Sequence, residues 1–429
     1  MLEVCMDEQR KHDEETPIRQ LLSALGPGIV TGAADDDPSG IATYSIAGAQ
    51  LGTSMLWTAF LTWPLMAAVQ MMCARIGMVS GHGLAHGLRK KFPRPVVALT
   101  ALALLIANTV NIGADLAAMA DAAQMFTGVN SHLFVIVFGV TISAATVWLR
   151  YGHIANTLKW LVLFLFAYVV TAFILRPEWT PILRDAIRPI MPHGPTAWAT
   201  LVAILGTTIS PYLFFWQASQ EVEEEKFMGR VLTAQRIGAS DREIVNRKFD
   251  IGVGTFFSNA VMFFIIVTTA ITLHRHGITN IETTRQAAEA LRPLAGSGCY
   301  LLFTAGLIGT GLLAIPTLSG SAAYALAETF GWHQGLDEKA DKARAFYAVV
   351  LLSMAIGIAL DFAEINPVRA LYWTAVINGV LAPFLLFGIL LVASDKKIMH
   401  GQPSSRLGRA TVAATMLLMF GACIGMFVF

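Results

Sequence analysis

Eleven apolar stretches run almost end to end through the sequence, at about 18–49, 54–78, 95–125, 132–149, 154–175, 197–222, 248–273, 296–329, 343–361, 367–393 and 407–428. A hydrocarbon core about 30 Å thick takes roughly 20 residues of α-helix, so each stretch is long enough to cross a bilayer. The runs far exceed the ~10-residue alternating strands of a membrane barrel, so helices are expected. Of the 429 residues, 55% are hydrophobic and 14% charged, against about 25% charged in soluble domains. The few charges fall between the stretches, and the lipid bilayer takes the place of a charged surface. A net charge of +1 offers nothing to a nucleic acid. Cys5, Cys73, Cys299 and Cys423 have neither zinc nor disulfide-framework spacing. A soluble enzyme, a secreted scaffold and a DNA binder are excluded.

Lys and Arg set the orientation. With residues 1–17 as a cytoplasmic tail, 23 of the 30 basic residues fall in that tail and the even-numbered connections, and seven fall outside. The expected topology is an integral protein of the plasma (inner) membrane with a cytoplasmic N-terminus and an external C-terminus. The first stretch is too long, and holds too many acids, to be a signal peptide.

Two spans are interrupted. Span one contains Asp35-Asp36-Asp37-Pro38-Ser39-Gly40, and span six contains Gly206-Thr207-Thr208-Ile209-Ser210-Pro211. Proline lacks an amide hydrogen and clashes with the preceding turn, while glycine tolerates unwinding. The breaks lie 173 positions apart and open two blocks of five spans, 18–175 and 197–393, followed by an eleventh span at 407–429. Span six runs opposite to span one. Discontinuous helices in inverted repeats point to a secondary transporter with its site at mid-membrane. Two ordinary proline kinks are the plainer alternative.

Charge weighs against that alternative. A carboxylate at the bilayer centre costs at least ~2.5 kcal/mol, and the basic residues of spans one to three, Arg19 and Arg75, lie at the span ends, away from the three acids. A cation is the natural partner. Successive helical residues point about 100° apart, so the acids cannot all reach one ion. Asp37 abuts the break and is the leading ligand; Asp35 and Asp36 either line a wet vestibule or sit partly protonated. Freed carbonyls around both breaks add oxygen ligands.

At these residues the sequence resembles the NRAMP divalent-metal transporters over nearly its whole length. The family's first span carries Gly-Pro-Gly and then Asp-Pro-Gly-Asn; here these positions read Gly26-Pro27-Gly28 and Asp37-Pro38-Ser39-Gly40, followed by Ala42-Thr43 and Ala47-Gly48-Ala49. The family's Gly-Ala-Thr-Val-Met-Pro-His in span six corresponds to Gly206 through Tyr212. Gly81-His82-Gly83-Leu84-Ala85-His86 and Ala114-Asp115-Leu116-Ala117 resemble two further family strings. The resemblance implies an all-α membrane protein with an LeuT-type 5+5 inverted repeat. It implies a metal held by Asp37, Gly40, Thr207 and Ser210, the transported divalent ion being substrate and not cofactor, and no enzyme activity.

The departures are equally specific. The family's metal-binding Asn is Gly40, its Met is Ser210, its proton-linked His is Tyr212, and its span-three Glu is Ala118. Such losses resemble the NRAMP-related magnesium transporter branch. A thioether favours soft metals, whereas carboxylate, carbonyl and hydroxyl suit hard ones. Its removal ends discrimination against Mg²⁺, and the smaller side chains leave room for the waters Mg²⁺ keeps. Mn²⁺ is hard enough to pass as well. A tyrosine with a reference pKa of about 10 carries no proton cycle near neutrality, so coupling to protons is expected to be weak or absent.

Asn108, Asn111 and Asp115 share one face of span three, and Asn111 and Asp115 are assigned to the ion pathway. Gln217, with Gln220 and Glu221, is expected to line the cytoplasmic side of span six, and Asn378 to face the ion from span ten. Glu223 to Glu225 read as a solvated loop start. His82 and His86 have zinc-compatible spacing but sit in a connection where an ordinary surface role is expected. Gly296-Ser297-Gly298 and Gly309-Thr310-Gly311 read as close helix packing. The competing functions are a proton-coupled Mn²⁺/Fe²⁺ symporter, a symporter of an organic solute, and a non-transporting receptor. The acids disfavour an anionic solute, and the retained breaks disfavour the receptor. Oligomeric state is not encoded in any readable feature.

Overall fold

The computed structural model describes residues 27–149, 164–336, 338–363 and 365–428. The expected N-terminal tail, the first residues of span one and the start of span five lie outside the described residues. Fifteen helices of eight or more residues carry the described fold: α1 (Pro27–Asp35), α2 (Pro38–Leu51), α3 (Trp57–Ser80), α4 (Leu84–Lys91), α5 (Arg94–Thr127), α6 (Ser131–Trp148), α7 (Phe166–Ile174), α8 (Trp179–Ile187), α9 (Pro195–Thr208), α10 (Pro211–Phe227), α11 (Asp241–Thr272), α12 (Cys299–Phe330), α13 (Arg344–Asp361), α14 (Pro367–Ser394) and α15 (Arg406–Val428). Among the described residues there is no strand, and nine segments are long and apolar enough to cross a membrane. The two halves of span one, at 9 and 14 residues, are each too short to do so alone.

Burial sorts the helices into a centre and a rim. The most apolar window of the α9–α10 segment is 89% buried, against 22% for α6 and 28% for α15. The rim helices turn Leu133, Val140, Leu417 and Phe427 outward, as lipid-facing helices do. At the centre, α1 packs on α11, α9 on α14, α10 on α3, and α12 on α5.

Glycines set the closest of these approaches. A Cβ on Gly32 would lie 2.6 Å from the Gly254 backbone, and one on Gly206 would lie 2.1 Å from the Ala375 carbonyl oxygen and 2.3 Å from the Gly379 nitrogen. Gly206 therefore serves the α9–α14 contact as well as the break. Gly311 packs against Met119 in the same way, with 2.2 Å from its notional Cβ to the sulfur. Gly296 departs from the packing expectation: it sits at φ +53° with open space around it, in a short 3₁₀ turn before α12.

Two boundaries also differ from the sequence expectation. Helix α11 begins at Asp241 and not near 248, because Ser240 and Glu243 form a reciprocal capping box. Helix α10 runs on to Phe227, so Glu223, Glu224 and Glu225 are helical and not a loop start. Glu225 is buried, and Glu224 ion-pairs with Arg247.

Candidate metal site

Both breaks are two residues wide at most. Helix α1 stops at Asp35 and α2 starts at Pro38; α9 stops at Thr208 and α10 starts at Pro211. In each case proline occupies the first helical position, where its missing amide costs nothing.

Asp37 is the N-cap of α2. Its Oδ1 accepts from the Gly40 amide and the Ser39 hydroxyl, both at 2.7 Å. Its Oδ2 faces α5, where the Asn111 amide donates to it at 3.3 Å and to Asp115 Oδ2 at 3.1 Å. Asn111 thus bridges two carboxylates that are each at most 1% exposed. Asp115 Oδ1 and Asn111 Oδ1 are buried without a partner. Asn108, on the same face, donates instead to the Leu318 carbonyl and Ser321 hydroxyl of α12, a packing contact away from the other two.

The α9–α10 break meets this from the other side. The Ser210 hydroxyl turns back on α9, within 2.8 Å of the Gly206 carbonyl oxygen and 2.6 Å of that of Thr207. Its hydrogen is directed at α9, which leaves the oxygen lone pairs for an electrophile. Gly40 lies where the breaks cross: its notional Cβ is 3.3 Å from both the Asp35 carbonyl oxygen and the Thr207 hydroxyl. Asp37, Gly40, Thr207 and Ser210 are brought to one locality, and all four offer only oxygen.

Tyr212 donates to the Ala34 carbonyl at 2.9 Å, tying α10 to the last turn of α1. Asn378 is 2% exposed with an unpartnered Oδ1, beside the Gly379 contact. Gln217 is fully buried; its amide donates to Glu221 at 2.7 Å, and its Oε1 has no partner. Glu221 belongs to a buried network that sequence reasoning missed. Arg247 on α11 holds Glu221 at 2.8 Å, Asp250 at 2.6 Å and also Glu224, and Asp250 accepts from the Gly28 amide at 2.8 Å. The network joins α10, α11 and the start of α1.

A second omission is Ser258 of α11. Its hydroxyl lies 2.7 Å from Asp35 Oδ2 and 3.2 Å from Asp36 Oδ1. Asp36 therefore faces α11, on a different side from Asp37. Among the described residues no three His, Cys, Asp or Glu side chains converge as a ready-made metal cage. The locality at the breaks is a mixed oxygen site of one carboxylate, carbonyls and hydroxyls. His82 and His86 stack face to face with centroids 3.8 Å apart, in the connection before and within α4.

Residues 28–429 match the Nramp family, described as natural resistance-associated macrophage protein-like. The divalent metal cation transporter MntH of Klebsiella pneumoniae subsp. pneumoniae is 25% identical over 410 residues, covering 92% of each chain. That of Yersinia pestis strain Pestoides F is 26% identical over 315 residues, covering 71% of this chain and 73% of its own. Among solved structures, the manganese transporter of Eremococcus coleocola, in complex with an aromatic bis-isothiourea substituted compound, superposes with a TM-score of 0.72 at 14% identity. The superposition covers 97% of this chain and 90% of that one. Mhp1, a nucleobase-cation-symport-1 family transporter, follows at 0.54 and 12% identity, covering 94% of this chain and 92% of its own. These likenesses establish an LeuT-type fold. The match of sequence over nearly the whole length then settles the kinship: the chain belongs to the Nramp family.

Proposed function

We propose that this protein is a secondary transporter that carries divalent metal cations, Mg²⁺ as well as Mn²⁺, into the cytoplasm with little or no coupling to protons. Relatives named divalent metal cation transporter and a structural neighbour named manganese transporter support the cation class. The observation that carries the finer reading is the donor set at the two breaks. Asp37, the Thr207 carbonyl and the Ser210 hydroxyl are hard oxygen donors, and Gly40 lets the two breaks approach closely, its notional Cβ lying 3.3 Å from the Thr207 hydroxyl. Substrate would reach the site from outside and leave between α1, α10 and α11, with the N-terminus cytoplasmic in the plasma membrane.

Proton-coupled Mn²⁺/Fe²⁺ symport is the second reading, favoured by the Asp37–Asn111–Asp115 chain, which offers a buried acid beside the metal ligand. Purified protein in liposomes separates the two. Mg²⁺ uptake competing with Mn²⁺ uptake, without lumenal acidification, supports the proposal. Mn²⁺ uptake that ignores excess Mg²⁺ and brings protons with it supports symport.

A further inference from the structure

We propose that Asp35, Asp36 and Thr31 of α1 with Ser258 of α11 form a second site for a hard divalent cation, separate from the one at Asp37. The inference rests on the reading of the chain as a divalent-cation carrier and adds a stop on the ion's route.

Orientation is the first argument. Asp37 turns toward Asn111 and Asp115 on α5. Asp35 and Asp36 instead share the Ser258 hydroxyl on α11. The two carboxylate groups thus face different helices from opposite sides of the break in span one.

Incomplete satisfaction is the second. Ser258 has one hydroxyl hydrogen, so it can donate to only one of the two carboxylates at a time. Asp35 Oδ1 is buried with no partner. Thr31 stands one turn before Asp35 on the same face of α1, is 1% exposed, and its hydroxyl also lacks a partner. Gly28 and Gly32 bring this face close against α11, to which Asp35 is already bonded through Ser258. Helix α1 ends at Asp35, and the C-terminal end of a helix presents carbonyls with partial negative charge, which favours a cation.

Charge is the third. Asp35, Asp36, Asp37 and Asp115 are each at most 2% exposed, and among the described residues no ion pair involves any of them. Buried charge is costly unless compensated. Fully ionised, the four acids carry a charge of −4. One divalent ion at Asp37 offsets half of it, and a second at Asp35 and Asp36 offsets the rest. Two carboxylates with hydroxyls make a hard-oxygen donor set suited to Mg²⁺ or Mn²⁺, whereas a monovalent ion would leave net charge behind. Two sites in series also ease release, because an ion arriving at the first repels the one at the second.

The test counts bound Mn²⁺ on the purified full-length protein, from the loss of the free-ion electron paramagnetic resonance signal during titration. The wild type should bind two ions per chain, Asp35→Asn/Asp36→Asn one, and Asp37→Ala one. If the double variant aggregates, Asp35→Asn or Ser258→Ala alone should weaken one of the two binding steps by at least about tenfold and leave the other in place. A wild type that binds one ion, lost in Asp37→Ala and kept in the double variant, overturns the second site while the transport reading stands. One ion lost in both variants means a single shared site and overturns it as well. A wild type that binds none removes both this inference and the transport reading beneath it. Unchanged two-ion binding in the Asp35 and Asp36 variants places the second ion elsewhere and also overturns it.

Discussion

Tyr212 on α10 donates its phenolic hydrogen to the Ala34 carbonyl on α1, 2.9 Å away, and so fastens one broken span to the other. The bond satisfies one of the carbonyls that α1 leaves open at its end. The bonded hydroxyl stands where the Nramp resemblance implies an imidazole. Tyr212→Phe should leave that carbonyl buried and unpaired, at a cost of about 1–3 kcal/mol. The expected result is a lower melting temperature and a several-fold change in Mn²⁺ uptake rate, with the pH profile of uptake unmoved. A shifted pH profile would show that the phenol takes part in proton movement after all.

Asp37→Ala removes the carboxylate from the crossing of the two breaks along with the N-cap of α2, worth about 1 kcal/mol on its own. Uptake should be abolished in protein that still reaches the membrane and elutes as a single species. Asp37→Asn retains a side-chain oxygen to cap α2 but not the charge, and should be equally inactive. Activity surviving in the asparagine variant would mean that the charge does not hold the ion.

The breaks were legible because each concentrates Gly, Pro and polar residues inside an apolar run, a local signal that needs no knowledge of neighbours. Nine of the eleven expected spans, two to four and six to eleven, recur among the described residues as long apolar helices, and length and apolarity are likewise local signals. The Arg247 network was not, because its partners are spread over residues 28, 221, 224 and 250 and only packing unites them. Starting span seven at 248 placed Arg247 in a loop. The Ser240-Asp241-Arg242-Glu243 string, a capping box, was the signal that would have started the helix earlier. Ser258 had a weaker signal, a Ser-Asn pair at mid-span; the acids it serves lie 222 and 223 positions away. Asn108 and Asn111 show the limit of face reasoning. They sit one turn apart on α5, yet one bonds α12 and the other bridges the acids.

Ser210→Met should shift transport toward Mn²⁺ and softer ions at the expense of Mg²⁺. The substitution adds a polarizable sulfur and fills space that a hydration water would use. It also removes the hydroxyl now directed at the Gly206 and Thr207 carbonyls, which frees both for the ion. The measurement is Mn²⁺ uptake against increasing Mg²⁺. The inhibitory Mg²⁺ concentration should rise by about tenfold or more, the effect of ~1.4 kcal/mol of selectivity. An unchanged ratio would mean that residue 210 does not face the ion.

His86 gives a pH-dependent contribution to stability. Burial first, then the neighbouring His82, Lys90 and Arg89, lowers its pKa to about 4, while an unfolded histidine titrates near 6.5. Between those values the unfolded chain binds a proton that the folded one refuses. The contribution of His86 is therefore fully present above about pH 6.5 and is lost as pH falls toward 4. His86→Phe keeps an aromatic ring against His82 and cannot titrate. Relative to wild type, its melting temperature should gain steadily as pH is lowered through that window. A difference that does not vary with pH would place the His86 titration nearer its ordinary value.

Transport should move little or no proton with the metal. The positions to which the Nramp resemblance assigns proton movement are here Ala118, which has no ionisable group, and Tyr212, whose hydroxyl is bonded to Ala34. The driving force is then the membrane potential, worth about 2.3 kcal/mol per charge per 100 mV and so about twice that for a divalent ion. At ~1.4 kcal/mol per factor of ten, that supports more than a thousandfold accumulation without a proton gradient. Liposomes holding a pH dye and an inside-negative potential test this directly, with Mg²⁺ or Mn²⁺ added outside. Metal should enter while lumenal pH stays flat, and collapse of the potential should abolish accumulation above the external concentration. Metal-dependent acidification in fixed proportion to uptake would instead identify Asp115 as the carrier. Among the described residues it is the acid bridged to Asp37 through Asn111, and Asp115→Asn should then abolish the acidification and leave the metal flux.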